Sequence, residues 1–322
     1  MLKVKKLLPF VFLLCIGFIL GLISSEKIKD LSVKKIPFDP TRLEKRESGY
    51  TFINPLLECE YLANQGELSL KNIKDKIERI VENYPKESVS IYYRDLLNGP
   101  WYGVNEDGQF APQSLLKLPV AISYFKYAEK DPSILSKKIN IEKISGSNLK
   151  PNDDLIVGQE YEIITLIERA IVISDNVAFK LLVSNIPEEQ IKKTHKDLEI
   201  AYPSSETPEN FISVKAYSSL FRVLYNSSYL SRDYSEKLLD MLSRAEFKNG
   251  LVAGVPKDIP VAHKFGLRND TGAIKQLHDC GIIYYPKQPY ILCVMTSGED
   301  LDELGNTIKN ISDGIYKAVS EN

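Results

Sequence analysis

The sequence predicts a mixed α/β (α+β) fold: one domain whose antiparallel sheet is completed by the two ends of the chain. Three observations predict it. Strand-like segments cluster toward both ends of the folded part, and a long helical middle separates them. The strands also lack the strand–helix–strand alternation that a parallel sheet requires. With 43% hydrophobic and 26% charged residues, the 322-residue chain has the composition of a packed protein. A formal net charge of -2 and the lack of a basic stripe with interleaved aromatics give no expectation of nucleic-acid binding.

In chain order, Lys3, Lys5 and Lys6 precede an apolar run from Leu7 to Ile23, "LLPFVFLLCIGFILGLI". The run is at the short end for a membrane span and long for a signal-peptide core. The sequence that follows, "LISSEK", is a poor cleavage site. Flanking lysines favour a cytoplasmic N-terminus. Residues 1–25 are therefore read as an uncleaved, single-pass signal anchor, with the rest of the chain outside the cytoplasm. Secretion after signal cleavage is the alternative. Residues 26–49 are charged and carry Pro37 and Pro40, which reads as a stalk. The folded domain is assigned to residues 50–322.

Within that domain, Leu68 to Val81 has helical spacing. "SVSIYYRDL" (Ser88–Leu96) and "WYGVN" (Trp101–Asn105) flank Asn98-Gly99-Pro100 and read as a hairpin. From Ser114 to about Ala245 the pattern is helical. Ile163, Leu166, Ile167, Ala170 and Ile171 mark one buried face, Val177–Ile186 continues as a helix to Pro187, and Ser213–Tyr225 and Tyr234–Leu242 follow. Strands return at Ile259–Gly266, His278–Tyr285 and Tyr290–Thr296, and Leu301–Ala318 closes the chain as a helix.

The four cysteines are Cys15, Cys59, Cys280 and Cys293. The last two fall on successive strands, where a hairpin register can place them diagonally on one face. A disulfide and a pair of buried thiols are both open readings. Three histidines, no Cys-x-x-Cys and no His-Glu-x-x-His give no metal expectation, and no cofactor is expected.

The chemistry-bearing stretch is "FAPQSLLKLPV" (Phe110–Val120). Ser114 and Lys117 stand three apart at the start of an apolar helix, so the amine can face the hydroxyl. A lysine among leucines loses pKa and can act as a base. Pro119 restricts the geometry, since proline is tolerated only in a helix's first turn. It sets the regular helix start near Lys117. Ser-x-x-Lys also occurs at Ser24/Lys27, Ser32/Lys35 and Ser147/Lys150. On this stretch alone Ser114 reads as a helix cap rather than a nucleophile.

Two further motifs bear on that choice. Ser174-Asp175-Asn176 occurs once, between two apolar helices, and Lys264-Phe265-Gly266 lies on a late strand. Ser-x-x-Lys at a helix start, Ser-Asp-Asn in a loop and Lys-x-Gly on a strand occur together, in that order, in penicillin-recognising enzymes. From about Tyr50 onward the chain resembles a class A β-lactamase-type serine hydrolase of the penicillin-binding protein/β-lactamase superfamily.

The resemblance implies an antiparallel sheet flanked by terminal helices, beside an all-helical subdomain, with the site between them. It implies that Ser114 forms an acyl-enzyme with a β-lactam or related amide and that Lys117 takes its proton. Ser174 would relay a proton to the leaving nitrogen, and Lys264 would supply positive charge. Asn176, Gly266 and Leu267 would bind substrate, with the Ser114 and Leu267 amides as the oxyanion hole. A peptidoglycan-derived substrate for a D-alanyl-D-alanine peptidase or esterase, and a penicillin-binding sensor without turnover, are the alternatives.

Two departures stand out. Phe265 occupies a place where the family carries a hydroxyl residue. The loop "AYPSSETPENFIS" offers Glu206 and Glu209 as candidates for the deacylating glutamate, and Glu206 and Asn210 have the family's Glu-x-x-x-Asn spacing.

Overall fold

The computed structural model describes residues 49–54, 66–85, 88–97, 99–141, 155–269, 274–286 and 288–321. The chain divides into two units, Met1–Lys45 and Arg46–Asn322, and every described residue belongs to the second. The expected anchor at residues 1–25, nearly all of the stalk, Cys15 and Cys59 lie outside the described residues. Among the described residues, no helix is long and apolar enough to cross a membrane.

Five antiparallel strands form the sheet: β1 (Val89–Asp95), β2 (Trp101–Val104), β5 (Val261–Arg268), β6 (Lys275–Ile283) and β7 (Tyr290–Gly298). Their order is β2-β1-β7-β6-β5, so β1 pairs with β7 and the two chain ends complete one sheet. The central strands β6 and β7 are buried almost along their whole length. Both faces of the sheet are covered, which is why β7 reads as an apolar run without alternation, while β6 also buries the polar Gln276, His278 and Asp279. A shift between expectation and structure appears at β6, which begins at Lys275, three residues before His278.

Helices α1 (Gly66–Val81) and α8 (Leu301–Ser320) cover one face. Ile73 and Ile77 of α1, with Ile308, Ile311 and Ile315 of α8, form turn-spaced stripes against Val89, Ile91, Leu292 and Val294. Asp300 caps α8 by accepting from the amides of Asp302 and Glu303. The helices cross closely at Gly314, where an added Cβ would stand 2.4 Å from Ile80 Cδ1.

The helical half covers the other face. It comprises α2 (Lys117–Ala128), α3 (Ile163–Val172), α4 (Asn176–Ser184), α5 (Glu188–Asp197), α6 (Val214–Tyr225) and α7 (Arg232–Ser243). A short ribbon of β3 (Lys138–Asn140) and β4 (Glu160–Glu162) interrupts it, and helical periodicity does not announce that ribbon. Helix α2 is buried on nearly all sides, so it shows no amphipathic stripe and forms the axis of this half. The folded part's N-terminal edge is fixed by Glu236 on α7. Its carboxylate accepts from the amides of Thr51, Phe52 and Ile53 at 2.6, 2.9 and 2.9 Å.

Cys280 and Cys293 are direct cross-strand partners on β6 and β7 and are joined as a disulfide, with Cα atoms 3.9 Å apart. The diagonal placement expected from the sequence is thereby corrected. The strand register depends on pairing over the whole sheet, which two isolated segments do not define.

Candidate active site

The site lies between the helical half and strand β5. Residues Gln113–Leu116 form a 3-10 turn and the regular helix α2 begins at Lys117, which puts Pro119 in its first turn. Ser114 does not cap the helix: neither the turn nor α2 has a side-chain cap. Its Oγ instead accepts from Lys117 Nζ at 2.9 Å.

The turn is clamped from several directions. Tyr217 on α6 donates its hydroxyl to Leu115 O at 2.9 Å. Ala111 N donates to Gln276 Oε1 at 2.9 Å. His278 Nε2 lies 3.1 Å from Ala111 O, and as a carbonyl only accepts, the ring holds its proton on Nε2. Burial pushes the His278 pKa down to about 4, so this ring is a neutral structural donor. Gly266 is needed where β5 meets the turn, because a Cβ there would stand 2.7 Å from Pro112 O. Gln113 itself has φ 47°, left-handed backbone that non-glycine residues seldom adopt.

The second wall is the junction of α3 and α4. Ser174 sits between them with φ 57°, a left-handed helix-ending conformation usually given to glycine. Asp175 follows as the α4 cap, accepting from the amides of Val177 and Ala178 at 2.8 and 3.1 Å. Its other oxygen pairs with Arg169 Nε and Nη2 at 3.0 and 2.9 Å. Asp175 builds the bend as the cap of α4, and the same bend brings Ser174 and Asn176 to the Lys117 amine. Arg169, one turn back on α3, is a contributor that the motif alone does not reveal.

Lys117 joins the two walls. Its Nζ lies 2.9 Å from Ser114 Oγ, 2.9 Å from Ser174 Oγ, 2.6 Å from Ser174 O and 2.6 Å from Asn176 Oδ1. Burial lowers its pKa to about 8, against the opposing pull of Asp175. Lys264 reaches in from β5 and donates to Ser174 Oγ at 2.9 Å. Burial first, and then the charge of Lys117, lower its pKa to about 7. Two buried amines thus share one hydroxyl.

A cleft of about 370 Å³ opens beside Ser114, and Lys117, Asn176, Phe179, Glu209 and Leu267 contribute to its lining. The two loop glutamates part company here. Glu209 lines the cleft, is 59% exposed, and pairs through Oε1 with Arg268 Nη2 at 2.8 Å. Glu206 is exposed in the preceding turn, organised by Ser204 and Thr207, and is not among the lining residues. Spacing favours Glu206, whose partner would be Asn210. In the fold Asn210 instead accepts from Gln276 at 3.3 Å, which brings its neighbour Glu209 to the cleft.

His263 and Asp279 form a buried pair, Nδ1 to Oδ1 2.7 Å, with Asp279 also accepting from Leu251 N. Lys264 projects into the site, whereas His263 is bonded to Asp279 and His278 to Ala111 O, away from the Ser114 hydroxyl.

Solved structures share the fold. PBP-A matches with a TM-score of 0.67 at 21% identity, covering 79% of this chain and 97% of that one. A beta-lactamase from Chitinophaga pinensis matches with a TM-score of 0.69 at 20% identity, over 77% and 99%. A class A beta-lactamase representative from Bacteroides cellulosilyticus matches with a TM-score of 0.68 at 20% identity, over 79% and 99%. These likenesses concern the fold. The sequence itself carries the family: residues 72–319 match the Beta-lactamase enzyme family, so the chain belongs to that family as a β-lactamase-like serine hydrolase.

Proposed function

We propose that Ser114 forms an acyl-enzyme with a β-lactam or a related amide. The observation that carries this reading is the Lys117 amine, which lies within 2.9 Å of both Ser114 Oγ and Ser174 Oγ. In its neutral form the amine keeps two N–H donors for Ser174 O and Asn176 Oδ1, which only accept, and turns its lone pair to the Ser114 hydroxyl, whose proton it takes. Ser114 Oγ then attacks the carbonyl carbon, and the oxyanion is held by the amides of Ser114 and Leu267, each worth about 3–4 kcal/mol in the transition state. As the carbon–nitrogen bond breaks, Ser174 gives its proton to the leaving nitrogen and regains one from the Lys117–Lys264 pair. Asn176 orients Lys117 and binds the substrate amide. The penicillin-G acyl-enzyme solved for a variant of PBP-A is a precedent in that protein.

Full-length protein in mild detergent, incubated with a fluorescent penicillin, is expected to gain the mass of one intact penicillin. Ser114→Ala is expected to gain none. Labelling that persists in Ser114→Ala sinks the assignment.

A second reading, penicillin binding with slow release or slow cell-wall peptidase activity, is favoured by one observation. Glu209, the carboxylate that lines the cleft, is exposed and engaged by Arg268 rather than held buried against Ser114 to activate a deacylating water. For location, the lysines before residues 7–23 favour a membrane anchor, and the Cys280–Cys293 disulfide suits an oxidising compartment. A mature N-terminus near Ser25 on the isolated protein would replace the anchor with a cleaved signal peptide.

A further inference from the structure

Beside the two amines, the Lys264 side of the site ends in a pair of stacked rings. Phe265 packs on Phe247 with centroids 4.2 Å apart and planes 16° from parallel. Both rings are partly exposed. Lys264 Nζ stands 4.5 Å from the Phe265 centroid and 2.9 Å from Ser174 Oγ. The amine is thus shared between a hydroxyl and an aromatic face, and the ring lies one amine away from the group that protonates the leaving nitrogen. Resting on the acylation reading above, we propose that Phe265, braced by Phe247, sets substrate specificity. The site takes acyl donors with a neutral, apolar group beside Ser174 and disfavours those that present a carboxylate there.

Three physical points carry this. An aromatic face bears the negative side of its quadrupole, which attracts the lysine but repels an anion. A carboxylate brought to Lys264 must shed water against two phenyl rings, and position 265 offers it no hydroxyl donor. The next cation along β5, Arg268, is engaged by Glu209. An apolar or planar group in the same place loses little hydration and gains stacking area on the exposed part of the ring pair.

The test is a pair of acyl donors that differ at one group: a chromogenic cephalosporin with its free carboxylate, and the methyl ester of the same compound. Second-order acylation rates of the full-length protein are followed by intact mass. The wild type is expected to react about tenfold faster with the ester. Phe265→Thr, which swaps the ring for a hydroxyl, is expected to reverse that order. Phe265→Leu, which keeps an apolar ledge, is expected to retain it, and Phe247→Ala to narrow it. A wild-type rate that is equal or greater for the acid overturns the inference, and so does an unchanged ratio in Phe265→Thr. The wild-type ratio decides even where a variant fails to fold. Adducts with an unfavourable ratio overturn this inference alone, whereas no adduct with either compound removes the acylation reading as well.

Discussion

The two walls of the cleft are built to different standards. On one wall, Ser114, Lys117, Ser174 and Lys264 are joined by hydrogen bonds of 2.9 Å, and both lysines are about 2% exposed or less. Left-handed backbone at Gln113 and Ser174 is held there by the Tyr217 hydroxyl and the Arg169–Asp175 pair. On the other wall, the 201–211 loop presents Glu209 to solvent and ties it by one ion pair. Under the proposed acylation, the groups that would attach an acyl chain are embedded in the core, while the candidates for detaching it are on a solvated rim. Burial lowers the pKa of both lysines of the first wall.

The largest expected effect lies on the buried wall. Lys117→Met removes the base and the link to Ser174, and acylation is expected to fall by about 10³-fold. The wild-type pH profile tests the same point. With Lys264 at about 7 and Lys117 at about 8, the pair is doubly charged below about 7 and neutral above about 8. Of the two singly protonated forms, the one with its proton on Lys264 has both a base for Ser114 and a donor for Ser174; Lys117 holds the proton more tightly, so this is the minor form of a pair that titrates as a unit. Acylation is expected to rise from pH 6, peak between those values and decline toward pH 9.5. A rate that climbs steadily to pH 10 would show that Lys264 need not keep its proton.

The next effect is on stability and sets the walls directly against each other. Asp175 is buried, caps α4 with two amide contacts and pairs with Arg169. Asp175→Ala is expected to cost about 3–5 kcal/mol and to lower Tm by roughly 10 °C. Glu206→Ala, in the exposed turn, is expected to change stability by less than about 0.5 kcal/mol. Calorimetry that returned similar losses for both would erase the distinction between a rigid wall and a solvated one.

Legibility in the sequence follows the same division. Local rules sufficed for the buried wall: Pro119 fixes the start of α2 at Lys117, and an Asp between two apolar helices caps the second. The sheet built from both chain ends also follows from element order. What escaped depends on contacts between distant segments. The cross-strand pairing of Cys280 with Cys293 needs the register of β6 on β7. The stacking of Phe247 on Phe265 joins a loop to a strand; Phe265 stands out in its motif, but nothing in that segment points to Phe247 as its partner. The left-handed turn at Ser174 gives no signal because the residue is not glycine. Sequence spacing leaves Glu206 and Glu209 both open, because which of them lines the cleft depends on how the loop packs on distant segments, as where Gln276 donates to Asn210.

The smallest expected effect concerns that choice. If deacylation drew on a loop carboxylate, Glu209 would be the one, because it lines the cleft and Glu206 does not. Yet Glu209 is more than half exposed and neutralised by Arg268, so it lacks the desolvation that makes a carboxylate an effective base near neutrality. Glu206→Gln is expected to leave the lifetime of the penicillin adduct unchanged, and Glu209→Gln to lengthen it by no more than about threefold. Intact-mass decay of the isolated acyl-enzyme measures both. A lengthening of 10²-fold or more in Glu209→Gln would show that the ion pair opens after acylation and that the rim can, after all, be drawn into the site. Arg268→Gln then separates the causes: a freed Glu209 would shorten the adduct's life, whereas an idle one would leave it as it was.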